Sequence, residues 1–455
     1  MKMKTKEPYD FIGIGIGPFN LGLAALAQPI RDCKAVFFDR SEKFNWHAGL
    51  MLDDASLQVP FLADLVTMAD PSSPFSFLNY LKQHGRIYKF YIRENFFILR
   101  LEYNAYCQWV AEQLEQCHFA HEVLDINHLN SHYQVTVLDK NRQETRQYIT
   151  KKIVLGTGTE PYIPSAIQKS SLPKVIHTAS YLFRKAELVK QQSITIVGSG
   201  QSAAEIVRDL LPYTRTGLKL NWVTRSERFF PLENHARLTL EMTSPEYVDY
   251  FFSLSSQKRD QLLKEQSILY KGINHDLINE IFNDLYKIEM ADGQVNVKLI
   301  ANSELQDITT DTNGHYQLTF LQKEQDLHYA INTEFVIMAT GYKYVEPEFL
   351  RNIQDRIART PQGTFQVQRN YSIDNLEQEI FVQNAELQTH GIATPDLGMG
   401  AYRNSYILRE ILGRTIYPVE QAIAFQSFGV DHQKPQATNS INNTTVLEDD
   451  TAEKT

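Results

Sequence analysis

The stretch FIGIGIGPFNLGLAALAQPI, Phe11 to Ile30, carries no charged residue, and its reading decides the fold. A membrane span needs roughly 20 predominantly apolar residues, so length alone permits one. Gly13, Gly15, Gly17, Pro18 and Asn20, however, break the apolar run that a span or a signal sequence requires. The segment YDFIGI reads instead as a short strand, and FNLGLAALA as a buried helix. In this reading Gly13 permits the turn out of the strand and Gly15 lets the backbone approach a pyrophosphate. Free amides at the helix N-terminus then face the phosphates. Pro18 takes the third fingerprint position, where its missing N–H is tolerated in a first helical turn. A second apolar strand, KAVFFDR, ends in Asp39, whose carboxylate can accept hydrogen bonds from an adenosine ribose. A strand–helix–strand unit without ligand is the alternative.

The second half repeats the first. SITIVGSGQSAAEIVRDLL, from Ser193, again reads as a strand, a Gly198-Ser199-Gly200 turn and a helix opening with Gln201 and Ser202. The next strand, KLNWVTRS, ends without an acid and offers Arg225. A carboxylate repels a 2′-phosphate whereas an arginine pairs with it, so this site reads as built for NADPH. A solvated surface arginine is the other reading. DINHLNSHYQVTVL and DITTDTNGHYQLTFL are matching hairpins. Each leads into an apolar strand and glycine turn, KKIVLGTG and EFVIMATGY, the latter holding Thr340 and Gly341.

The expected fold is therefore α/β with two Rossmann-like dinucleotide-binding units, FAD in the first and NADPH in the second. Residues 1–185 are expected to form the first part of the FAD unit. Residues 186–335 form the NADPH unit, with a helical insertion at about 243–290. Residues 336–428 return to the FAD unit and bring a substrate-site segment. The polar tail 429–455 is expected to be disordered.

The bulk numbers agree with this plan. The 455 residues, 43% hydrophobic and 22% charged, suffice for two or three globular domains. A net charge of -9 argues against a general nucleic-acid binder. Cys33, Cys107 and Cys117 form no C-x-x-C pair, which argues against a zinc ribbon or dithiol centre and fits the cytoplasm. No histidine–carboxylate cluster suggests a metal. The long aromatic loop from Phe44 to Tyr80 is expected to line the ligand site.

The runs DFIGIGIGPFNLGLAAL, FNWHAGLML, LQVPFLADLV, PFSFLNYL, GSGQSAAE, MATGY and THGIATPDLG occur in a telling order. On these motifs, over about residues 9–415, the chain resembles the flavin-dependent N-hydroxylating monooxygenases of siderophore biosynthesis. These are the lysine, ornithine and diamine N-hydroxylases, and the likeness is greatest to the diamine type. A further signature runs from Glu334 through Met338 and Ala339-Thr340-Gly341-Tyr342 to Pro347, with Glu for Asp and Met for Leu as departures. The resemblance implies a glutathione-reductase-like fold, FAD and NADPH as cofactors, and often a homotetramer. It also implies O2 activation as a C4a-hydroperoxyflavin, which hydroxylates a primary amine to make a hydroxylamine for a hydroxamate siderophore. Trp46 and His47 fall among the cofactor-side residues. Gln58 matches the family glutamine beside the flavin and is the candidate catalytic residue; a supporting polar role is the alternative.

The substrate is suggested by departures from the family. Where the lysine and ornithine hydroxylases typically read FLKDL this chain reads FLADL, so Ala63 stands in place of the lysine that, in the ornithine enzymes, pairs with the substrate carboxylate. Leu397-Gly398 replaces a Leu-Ser whose serine makes a second contact. Each lost charged hydrogen bond costs about 1.5–3 kcal/mol, or roughly ten- to a hundredfold in binding. These changes favour an amine without an α-carboxylate: putrescine or cadaverine first, with histamine fitting the same argument. Lysine or ornithine stays open if Lys82 or Arg86 reaches the carboxylate. His47 and His390 are expected to be packing or flavin-edge residues. A Baeyer–Villiger-type monooxygenase would carry Phe-x-Gly-x-x-x-His; here His177 is present but Ser171 and Pro173 replace Phe and Gly. An NADPH oxidase or a flavin-binding redox sensor would keep both nucleotide sites without a productive amine pocket.

Overall fold

A computed structural model describes residues 7–165, 167, 172–232, 236–312 and 314–430. Ser171 and the tail from residue 431 lie outside the described residues. The central strand is Tyr9–Ile14, in which Phe11 and Ile12 are fully buried. It pairs in parallel with Ala35–Phe38 on one side and Glu144–Leu155 on the other. Cys117–His118 extends the first edge and Ile380–Val382 pairs with Glu144–Leu155. The near-continuous apolar runs are what strands covered on both faces require.

Glu144–Leu155 joins the parallel and antiparallel parts of one seven-stranded sheet. Its first part closes an antiparallel meander with His132–Asp139 and His121–Leu129, while its second part lies beside Tyr9–Ile14. The expected hairpins are therefore three-stranded, here and again at Ser303–Thr310, Tyr316–Gln322 and Leu327–Thr333.

The second parallel sheet runs Val175–His177, Phe335–Met338, Ser193–Val197, Lys219–Val223 and Val297–Ile300. Ser193–Val197 stands where Tyr9–Ile14 stands in the first sheet, and Phe335–Met338 takes the role of Glu144–Leu155. Thr159–Pro161 pairs with Tyr342–Tyr344 and joins the chain segments that leave the two sheets. This is the doubly wound α/β plan expected from the duplicated glycine turns.

Pro18–Ala27 is a ten-residue helix, about 15 Å long, with every residue from Asn20 to Ala27 buried in protein. Among the described residues no helix is long and apolar enough to cross a membrane. One expectation needs correction. Gly13 lies inside the strand, and the turn is made by Gly15, at φ +85°. A β-carbon on Gly13 would stand 2.1 Å from the Phe37 ring, so this glycine makes room for core packing between parallel strands.

Helices Pro245–Ser253, Ser256–Glu265 and His275–Asp292 follow the second Rossmann crossover. Ser244 caps the first by accepting from Tyr247 N (3.2 Å), and Asn274 caps the last by accepting from Asp276 N (2.9 Å).

Candidate active site

A cavity of about 800 Å³ opens at the carboxyl ends of the first parallel strands, where ligands of open α/β sheets bind. Gly15, Gly17, Pro18 and Asp39 all line it. A β-carbon on Gly15 would stand 2.5 Å from the carbonyl oxygen of Gly156, and its positive φ is costly for any other residue. Gly17 caps the helix without a side chain, and a β-carbon on it would meet no atom within 4 Å. Pro18 occupies the first helical turn.

The Asp39 carboxylate accepts from Ile16 N (2.6 Å) through Oδ2 and from Ser41 N (2.7 Å) through Oδ1. A carboxylate has about four acceptor positions, so capacity remains for ligand hydroxyls. Buried Asn20 donates to Gly15 O (2.8 Å) and accepts from Gln383 Nε2 (2.6 Å), tying the turn to the end of the last strand. Gln383 Oε1 and Gln58 Nε2 are buried without a protein partner, and both side chains line the cavity. An orphaned buried polar atom costs about 1–3 kcal/mol, so this wall is built to meet a polar ligand. The glycine cradle, the free helix N-terminus and the orphaned amides fit a dinucleotide that carries a polar ring system.

The loop after Phe44 brings Trp46 and His47 to the same cavity. Trp46 N donates to Asn104 Oδ1 (2.9 Å), and His47 adopts φ +52° with its ring against Trp46 and Tyr342. Burial, reinforced by the Arg100 guanidinium, pushes the His47 imidazole down to about 4. It is therefore neutral near pH 7 and carries no proton to donate from a charged form. Arg100, also on the cavity, grips Glu205 with two bonds of 2.7 and 2.6 Å.

The second set of sequence-chosen residues stands apart from this cavity, at the carboxyl end of the second sheet. Gly198 has φ +124° and lies against Ala339 O, where a β-carbon would approach to 2.2 Å. Gly200 caps helix Gln201–Thr214 and opens to free space. Gln201 is engaged within the protein: Nε2 donates to Glu205 Oε1 (2.8 Å) and Oε1 accepts from Asn274 N (2.8 Å). Ser202 follows it in the first turn. Arg225 is exposed and close enough to Lys271 to lower, together with burial as the larger cause, the lysine's pKa. No described carboxylate pairs with either. Lys271 is delivered by a segment stitched to the loop after Lys219–Val223, through Leu232 N to Ile273 O (2.6 Å) and Ile273 N to Phe230 O (3.0 Å).

Thr340 and Gly341 serve the linker between sheets. Thr340 Oγ1 donates to Tyr162 O, and Gly341 O accepts from His177 Nε2 (2.9 Å) and Tyr162 N (2.9 Å). His177 is thereby a structural brace. His390 is buried, stacked on Tyr371 at 4.4 Å, and pushed down to about 3 first by burial and then by Arg369.

The three substrate-side residues do converge. Leu397 lines the cavity, Ala63 is buried, and a β-carbon on Gly398 would lie 3.7 Å from Ala63 Cβ. Lys82 is exposed, Arg86 is paired with Glu102 (2.8 Å), and neither lines the cavity. The wall bearing Leu397 is anchored by buried Arg403, which donates to Glu386 Oε1 and to Thr394 O (3.1 Å) and lies 4.2 Å over the Phe19 ring. Sequence reasoning missed Arg100, Lys271, Gln383 and Asp396. The last sits inside the quoted run THGIATPDLG; the other three carried no local signal.

The chain matches the family model described as L-lysine 6-monooxygenase/L-ornithine 5-monooxygenase over residues 7–344. It is 50% identical over 426 residues to the putrescine N-hydroxylase of Shewanella oneidensis, covering 92% of this chain and 84% of that protein. The crystal structure of FAD-bound DfoA, the desferrioxamine-pathway cadaverine monooxygenase of Erwinia amylovora, superposes with a TM-score of 0.92 at 49% identity, covering 94% of this chain and 100% of that one. The ornithine N-hydroxylase KtzI of Kutzneria sp. 744, with reduced FAD, NADP+ and L-ornithine, gives 0.82 at 26% identity, covering 90% and 99%. The glycine turns, the cavity and these likenesses converge: the chain belongs to the L-lysine 6-monooxygenase/L-ornithine 5-monooxygenase family.

Proposed function

We propose that this chain is an FAD- and NADPH-dependent monooxygenase that N-hydroxylates a primary diamine, putrescine or cadaverine, to supply a hydroxamate siderophore. The observation that carries the diamine reading is the pairing of Ala63 with Gly398 beside the cavity, where no side chain of either can hold a substrate carboxylate. The relatives named for putrescine and cadaverine support it.

FAD reduced by NADPH would supply the activation of O2. The chain's own residues bind and orient. Gly15, Gly17 and the helix amides after Pro18 receive the FAD pyrophosphate, and Asp39 the ribose. Trp46, His47 and the orphaned amides of Gln58 and Gln383 meet the ring side, with Gln58 the candidate catalytic contact. Gly198, Gly200 and Ser202 receive the NADPH phosphates, and Arg225 the 2′-phosphate. A free alkylammonium has a pKa near ~10.4, so the reacting nitrogen must shed a proton before it attacks. Enclosure disfavours the charged form and helps that loss.

The test is hydroxylamine formation, by mass, from putrescine, cadaverine, histamine, lysine and ornithine with added FAD and NADPH. Product from a diamine, with little from lysine or ornithine, is the expected result. Preferred lysine or ornithine overturns the diamine reading, and peroxide with no hydroxylamine from any amine indicates an oxidase. The reading places the enzyme in the cytoplasm as a homotetramer, which light scattering of the purified protein checks.

A further inference from the structure

We propose that Asp396 determines amine specificity, its carboxylate holding the distal ammonium of a diamine whose other nitrogen is hydroxylated. The assignment rests on the diamine reading above and names the group that selects for it. Asp396 lines the cavity and remains half-buried. Its Oδ1 accepts from Gly398 N at 2.6 Å, which fixes the carboxylate beside the position that Ala63 faces.

Among the described residues no lysine, arginine or histidine forms an ion pair with it. Arg403, a few residues on, engages Glu386 and Thr394 O through Nη1, keeps Nε and Nη2 buried without a partner, and forms no ion pair with Asp396. An enclosed carboxylate without a cation is unfavourable, and burial accordingly raises the Asp396 pKa against the opposing pull of the Gly398 and Met399 amides. A ligand ammonium removes that imbalance.

The charge logic also excludes. A diamine near neutral pH carries two ammonium groups, and only the reacting one must lose its proton. The other stays charged and needs a desolvated partner of opposite sign. An α-amino acid would bring its carboxylate toward Asp396 with no lysine at 63 and no serine at 398 to hold it. Ala63, Gly398 and Asp396 thus act together: two deletions remove an anion site and one acid creates a cation site.

The experiment compares wild-type holoenzyme with D396N on putrescine and cadaverine and on n-butylamine and n-pentylamine, measuring hydroxylamine formed and NADPH consumed. The expected result is a ten- to hundredfold rise in KM for the diamines, a much smaller change for the monoamines, which bring no distal ammonium, and partial recovery of the diamine preference in D396E. Flavin absorbance and thermal melting check that D396N is folded. A63K is the second variant: it leaves Asp396 in place, offers it an internal ammonium, and is expected to erase the same diamine preference. An equal loss for diamines and monoamines overturns the proposal and makes Asp396 a general base or a support. Unchanged discrimination in both variants also overturns it. A wild type that prefers lysine or ornithine overturns the diamine reading itself. A wild type that prefers diamines while D396N still does so confines the failure to Asp396.

Discussion

Ala63 and Gly398, more than three hundred residues apart in the chain, face each other: a β-carbon on Gly398 would stand 3.7 Å from Ala63 Cβ and 3.0 Å from Asp396 Oδ1. Two positions that look independent in the sequence therefore sit together, beside Asp396 and Leu397, which line the cavity. Reinstating both family side chains, as A63K/G398S, should lower the putrescine-to-ornithine ratio of kcat/KM by roughly ten- to a hundredfold or more. Competition between the two amines, read by mass spectrometry, measures it. An unchanged ratio would mean the pocket selects elsewhere.

Gln58 presents a buried, unpartnered Nε2 on the cavity wall. In Q58A, hydroxylamine formed per NADPH should fall roughly ten- to a hundredfold while hydrogen peroxide rises to match the NADPH consumed. Loss of FAD affinity with normal coupling in the bound fraction would assign Gln58 to cofactor retention instead.

Arg225 and Lys271 are neighbouring cations without a described carboxylate partner. Calorimetry with 2′,5′-ADP and 5′-AMP isolates their contribution from catalysis. R225A should weaken 2′,5′-ADP roughly ten- to a hundredfold and leave 5′-AMP nearly unchanged. K271A should do the same to a smaller degree.

Glu205 holds Arg100 with two bonds and Gln201 with a third, and Gln201 in turn accepts from Asn274 N, so one carboxylate joins the cavity wall to the second Rossmann unit. Glu205 is buried and Arg100 nearly so. E205A leaves that guanidinium unpaired and should destabilise the fold by about 3–5 kcal/mol. Denaturant unfolding reads the loss, and a conservative E205D should recover part of it.

His47 is held near pKa 4, mainly by burial, whereas an unfolded histidine titrates near ~6.5. Between those values the unfolded state binds the extra proton. Its contribution is therefore fully present above about pH 6.5 and is lost as the pH falls toward 4, at about 1.4 kcal/mol per pH unit. H47Q should flatten that part of the stability–pH curve by one proton's worth. His390, held near 3, adds a second proton to the same acid limb.

The two dinucleotide-binding units were legible because a glycine turn must lie between an apolar strand and a helix, and that order is written locally. The mistake over Gly13 came from the same local rule. Gly13 and Gly15 share the fingerprint, but only the fold reveals that Phe37 from the neighbouring parallel strand needs the space above Gly13. Gln201 was chosen for its place after a glycine turn, and only the fold shows both ends of its side chain engaged by Glu205 and Asn274.

Composition and pattern by themselves determined the α/β class and the duplicated nucleotide units, while the resemblance over the quoted motifs pointed to the family and to Ala63 and Gly398 as candidate substrate-side positions, since each depends on residue identity at short range. Tertiary structure alone decided which of those residues share a wall. Ala63 comes to Gly398, and Arg225 close enough to Lys271 for their charges to interact, because chain folding brings distant segments within the range over which packing and charges act. Asp396 shows the division most clearly. As a letter in THGIATPDLG it is an ordinary acid, and it becomes a candidate cation holder only where the fold encloses it on a cavity wall without a cationic partner.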